Sequence, residues 1–167
     1  MALQFDSYPD IAYGTGSDLD LSIAERRQLW KWEAAVGYRI FAAMRWGQLG
    51  DGHITCRDPE HRDHFWMLSY GVPFREATVH DLIIIGPDGS VVDGPAHATA
   101  NIAGYNIHHP LLEVRQDINA AAHTHTAFGT PWSANVEPFR AISQESCSFV
   151  FNQAMYEGED LEVDSTE

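Results

Sequence analysis

The stretch Ala120-Ala121-Ala122-His123-Thr124-His125-Thr126 constrains this chain more than any other. Three small apolar residues run into two histidines at positions i and i+2. A β-strand repeats every two residues, so this spacing sends both imidazoles to one face and Ala122, Thr124 and Thr126 to the other. On a rigid strand, two parallel imidazoles offer neutral nitrogens to a divalent ion without bending the backbone. The same spacing suits two hydrogen-bonded histidines at a polar strand end, and the surroundings decide between the two.

Upstream, residues 1–20 mix proline, glycine, serine and aspartate without periodicity and read as an arm. Ser22 and Glu25 form the S-x-x-E capping box that opens a helix. Leu29, Trp32, Val36, Ile40 and Met44 then recur at helical steps and predict one buried stripe. Trp30, Trp32 and Trp46 are expected in the core. Gly50-Asp51-Gly52-His53-Ile54-Thr55 is expected to be a glycine-rich turn before a strand, whose amides, with His53 and Thr55, suit an anion. His61 and His64 fall in a polar stretch and are expected at the surface. A strand is predicted over 65–69, a turn at Tyr70-Gly71-Val72-Pro73, and a short helical turn starting at Thr78. Leu82-Ile83-Ile84-Ile85 reads as a buried strand, Pro87-Asp88-Gly89 as a tight turn and Val91-Val92 as the return. A second helix runs from Thr99 or Ile102 to Val114, holding His108, His109 and a kinking Pro110. Phe128 to Trp132 is expected to form a helical turn, and Gln144 and Glu145 follow a loop at Asn135 to Pro138.

With 167 residues the chain is expected to be one domain, residues 21–156, with the arm before it and an acidic tail, 157–167, after it. The formal charge of −14 argues against nucleic acid or an anionic membrane as a partner, because like charges repel. Two cysteines make no disulfide framework, so a reducing, cytoplasmic setting is expected. No stretch reads as a signal peptide or an anchor.

Several of these pieces, taken in order, resemble the class II aldolase/adducin family. They are Gly52-His53-Ile54-Thr55, Tyr70-Gly71, Thr78 with Asp81-Leu82-Ile83, Asp88-Gly89, His108 with Arg115-Gln116-Asp117-Ile118, and His123-Thr124-His125. The resemblance implies a three-layer α/β/α fold around a mainly antiparallel sheet, and a homo-oligomer, with a tetramer favoured and the site at a subunit interface. It also implies a divalent ion of the zinc type, with iron or manganese as the other choices, held by His123, His125 and a later histidine. No histidine follows His125 in this sequence. In the catalytic branch of the family a glutamate four residues before the position of His108 is the acid/base; that position is Gly104 here, a form like the adducin branch. In sugar-phosphate members the ion polarises a carbonyl and stabilises an enediolate.

For this chain the resemblance implies metal binding by His123 and His125 and binding of a small-molecule substrate by Gly52, His53, Thr55, Tyr70 and Gly71. His53, His108, Gln144 and Glu145 are the candidates for a further ligand, and Glu145 is the candidate acid/base in place of the glutamate. The expected function is a metal-dependent lyase acting on a small hydroxy or keto acid or a sugar-like substrate. The alternatives are a non-catalytic adducin-like module, or an iron-dependent oxygenase or decarboxylase on the same fold.

Overall fold

The computed structural model describes residues 21–135 and 137–155. The expected arm and acidic tail lie outside them. The described chain divides after His125 into two compact units. Among the described residues, no helix is long and apolar enough to cross a membrane.

The first unit opens with helix α1, Ile23–Met44. Ser22 caps it as its sequence requires, accepting from the Glu25 amide while the Glu25 carboxylate accepts from the Ser22 amide. A sheet follows, with strands β1 (Gly52–Arg57), β2 (Phe65–Leu68), β3 (Leu82–Ile85), β4 (Val91–Asp93) and β5 (Ala120–Thr124). All of its pairings are antiparallel, in the order β4-β3-β2-β1-β5. Thr78 and Asp81 form a second capping box on a 3-10 turn that leads into β3. Helix α2, Ile102–Val114, starts on Asn101, whose side chain accepts from the Gly104 amide.

Every residue of β2 and β3 is buried because a helix covers each face. Trp66, Leu68, Leu82 and Ile84 pack with Leu29, Trp30, Ala34, Tyr38 and Phe41 of α1. Phe65, Met67, Ile83 and Ile85 pack with Leu112 of α2. This is the three-layer α/β/α arrangement with a central antiparallel sheet.

The buried stripe of α1 differs from the expected one. Leu29 is buried, but Ile40 and Met44 are 50% and 54% exposed, and Trp32 and Val36 are half-buried. The helix lies on Ala34, Ala35 and Gly37 instead, where a Cβ on Gly37 would stand 2.9 Å from Ile54 Cδ1. Small residues let a helix approach a sheet closely, so shape decides over residue size. Trp30 is core as expected, whereas Trp46 is 37% exposed.

Gly52, His53 and Thr55, expected in a turn before a strand, are inside β1. Their amides belong to a strand that pairs on both sides, with β5 and β2. β1 and β2 pair at Cys56–Trp66 and Arg57–Phe65. Where they would continue, the Tyr38 hydroxyl takes over. It donates to the Ile54 carbonyl at 2.8 Å and accepts from the Ile54 and Leu68 amides at 2.9 and 3.2 Å. A side chain from α1 thus supplies the hydrogen bonds that two parting strands lose.

The guanidinium of Arg57 is buried and donates to the carbonyls of Leu112 and Arg115 at the end of α2, and to those of Ile118 and Arg62. These carbonyls include orphans of the helix terminus, so Arg57 pins α2 across β1.

In the second unit, helices α3 (Gly129–Ser133) and α4 (Gln144–Cys147) are each a single turn. Trp132 stacks on Phe139 with centroids 5.1 Å apart.

Candidate functional site

The register of β1 against β5 assembles the site. His53 pairs with His123, and Thr55 with Ala121. Cross-strand partners point to the same face, here the face that α2 covers. Strand β5 ends at Thr124, so His125 lies one residue past it, tied by its amide to the Trp46 carbonyl at 3.1 Å. The two imidazoles nevertheless meet as the spacing predicts, with Nε2 of His123 2.9 Å from Nε2 of His125.

Gly52 is required for this geometry. A Cβ there would stand 2.8 Å from the His123 carbonyl oxygen, so a side chain would push β5 away just where it carries the histidine. On the other side of the cluster, His53 lies 5.0 Å from His123 and 4.4 Å from His108, measured between ring centroids. His108 comes from α2 and is buried, and its Nδ1 shares a 2.8 Å hydrogen bond with the Thr55 hydroxyl. Four imidazoles from β1, α2 and the end of β5 therefore stand side by side.

Burial first, and then the neighbouring imidazoles, hold the pKa of His53 down at about 3 and that of His108 at about 4. His123 is lowered too, by burial and then by His125. These rings are neutral at ordinary pH, which is the state that binds a metal. Nε2 of His53 is buried and has no hydrogen-bond partner. No three His, Cys, Asp or Glu side chains among the described residues already converge on one point. The facing nitrogens of His123 and His125 and the orphaned His53 nitrogen in the same cluster still fit a divalent cation, for which imidazole is a preferred ligand.

Gly52, His53, Tyr70 and Gly71, expected to bind substrate, line one shallow, open crevice together with Tyr38, Ser69 and Asn101. It opens where β1 and β2 part around the Tyr38 hydroxyl. Gly71 has a φ of 90°, a conformation that favours glycine. Thr55 is not in this crevice: it is fully buried and turned to His108. Glu145 is exposed, in the first turn of α4 in the second unit. Hydrogen bonds from its own amide and from Ser143 keep its carboxyl below the usual range, and so ionised. Gln144 stands beside it in the same turn. His61 is at the surface as expected, and His64 is half-buried on Asp63.

Sequence reasoning missed Tyr38 and Arg57, because nothing in their local pattern distinguishes a core tyrosine or a strand arginine from an ordinary one. The capping residue Asn101, next to the crevice, did carry a local signal, an Asn just ahead of an apolar helix.

The Class II Aldolase and Adducin N-terminal domain model matches residues 33–165. A 4-hydroxy-3-prenylphenylpyruvate oxygenase/4-hydroxy-3-prenylbenzoate synthase of Streptomyces roseochromogenus subsp. oscitans is 35% identical over 136 residues, 80% of this chain and 48% of that protein. Decarboxylase NovR of Streptomyces niveus is also 35% identical, over 80% of this chain and 50% of its own length. The chain thus spans about half the length of these curated relatives. Among solved structures, an L-fuculose 1-phosphate aldolase from Glaciozyma antarctica PI12 superposes with a TM-score of 0.73 at 33% identity, covering 77% of this chain and 52% of that one.

Proposed function

Because the chain belongs to the class II aldolase and adducin family, we propose that it acts as a divalent-metal-dependent lyase on a small acid carrying a hydroxyl or keto group. The observation that carries this reading is the 2.9 Å approach of the His123 and His125 Nε2 atoms. Two imidazoles meeting at the end of a strand are a donor pair for zinc, iron or manganese. Such an ion, when bound, supplies Lewis-acid polarisation of a carbonyl or hydroxyl oxygen next to the bond that breaks.

The chain's own residues bind and orient. His123 and His125 hold the ion. Gly52, His53, Tyr70 and Gly71 form the wall of an open crevice that receives the substrate's anionic group. Thr55 acts behind that wall by fixing the His108 ring. Glu145, ionised at neutral pH, is the acid/base candidate that the resemblance leaves in place of the family's glutamate. A homotetramer in the cytoplasm is the assembly proposed with this activity.

Metal analysis of the purified chain, alone and after the double change His123→Ala/His125→Ala, tests the reading. Stoichiometric metal that disappears in the double variant is the expected result. A parent protein that takes up no zinc, iron or manganese overturns it and leaves a non-catalytic, adducin-like module. The two Streptomyces relatives, an oxygenase/synthase and a decarboxylase, favour a second reading, an iron-dependent oxygenase or decarboxylase. Iron rather than zinc in protein purified without oxygen would select it.

A further inference from the structure

His53 is held in the cluster at some expense to the fold. Its residue is 4% exposed and its Nε2 has no hydrogen-bond partner. Native folds rarely bury a polar ring atom without a use for it. The ring is not there for want of another place. The strand register sets it opposite His123, with the two rings stacked at 29°. α2 is also shaped to admit it. Gly104 sits inside this helix, where glycine is unfavourable relative to alanine. A Cβ at position 104 would stand 2.9 Å from both Cγ and Cδ2 of His53, and 2.7 Å from Met67 Cε. The missing side chain at 104 is the space the imidazole occupies.

We infer that His53 is the third nitrogen donor to the cation held by His123 and His125, and that Gly104 is the positioning residue whose lack of a side chain lets it serve. The inference rests on the reading of His123 and His125 as metal ligands. Three imidazoles leave at least one coordination position open for an oxygenated substrate. The His123 and His125 nitrogens, 2.9 Å apart, spread to the roughly 3.3 Å that two nitrogens on one tetrahedral zinc ion keep, and the His53 ring turns toward them, since the three do not already converge on one point. His108 packs against His53 with its Nδ1 engaged by Thr55, so the Thr55–His108 pair braces the ring, whereas His53 carries the buried nitrogen with no partner. His53 belongs both to the imidazole cluster and to the crevice lining, so an ion it helps to hold adjoins that crevice.

The test titrates the purified, metal-free chain with cobalt(II). The visible bands report the ligand set, and competition with a chelator gives the affinity. The parent is compared with His53→Asn, Gly104→Ala, the combination of the two, and His123→Ala/His125→Ala, each checked for folding by circular dichroism without metal. His53→Asn is expected to shift the cobalt bands and weaken binding by more than the roughly 10–100-fold that loss of an outer-layer partner produces. Gly104→Ala is expected to weaken binding in the parent and to change nothing further in the His53→Asn background. Should His53→Asn fail to fold, Gly104→Ala alone carries the test, because alanine is a good helix residue and removes no donor. Parent-like bands in His53→Asn, or in Gly104→Ala if only that variant folds, overturn the inference and leave the His123–His125 reading standing. Binding that persists in His123→Ala/His125→Ala, or a parent that binds no cobalt, overturns both.

Discussion

Replacing Tyr38 by phenylalanine removes one oxygen atom and strands three backbone groups. The hydroxyl donates to the Ile54 carbonyl and accepts from the Ile54 and Leu68 amides, at distances of 2.8, 2.9 and 3.2 Å, and the residue is 1% exposed. Each buried group left unpaired costs about 1–3 kcal/mol, and the three share one partner, so a total of about 3 kcal/mol is expected for Tyr38→Phe. For a chain of this size that lowers Tm by roughly 6–12 °C. Thermal and urea unfolding followed by circular dichroism measure it. A loss below about 1 kcal/mol would refute the claim that this hydroxyl replaces the missing strand pairing. Alkaline titration gives an independent reading of the same atom. Burial pushes the phenol up to about 12, against the two amide hydrogen bonds, which lower it. A group raised in the folded state stabilises fully below its unfolded pKa and loses that contribution as pH rises through the folded one. The parent should therefore lose up to about 2.7 kcal/mol between roughly pH 10 and 12 that Tyr38→Phe does not lose.

Gly52→Ala sets a Cβ 2.8 Å from the His123 carbonyl oxygen, so it should destabilise the fold by about 1–3 kcal/mol and weaken metal binding without removing a ligand; parent-like cobalt affinity in this variant would count against the required close approach of β1 and β5. Arg57→Met takes the guanidinium donor from the carbonyls of Ile118 and Arg62, and from those of Leu112 and Arg115, which keep Gln116 Nε2 and the Ile118 amide, and urea unfolding should show a loss of about 3 kcal/mol. Acid should destabilise the metal-free protein earlier than its carboxylates alone would. His53 and His108, at about 3 and 4, stay neutral in the fold while the unfolded chain binds protons below about 6.5, so the stability present above that pH falls as pH drops, by about 2 kcal/mol for each ring at pH 5. Unfolding free energies that are flat from pH 6.5 to 5 would contradict the burial of these rings.

The residues of this chain announce whatever depends on near neighbours. Ser22 with Glu25 and Thr78 with Asp81 cap their helices, Leu82 to Ile85 is a strand, and Pro87-Asp88-Gly89 turns it. The meeting of His123 and His125 is legible in part from their two-residue spacing, while the Trp46 carbonyl holds His125 just past the strand end. The family, and with it the layered fold, was legible because its motifs fall in order along the sequence. What only the tertiary structure decided is everything set by contacts distant in sequence. α1 carries apolar residues on more than one side, and its approach to Ile54 through Gly37 chose the buried one. Thr55 looked like a residue that meets substrate, until α2 brought His108 against it. His53 reached His123 through strand register, and Gly104 made room for it from another layer. Local propensity acts over three or four residues, whereas register and packing join side chains fifty or seventy positions apart, and the site is built from those.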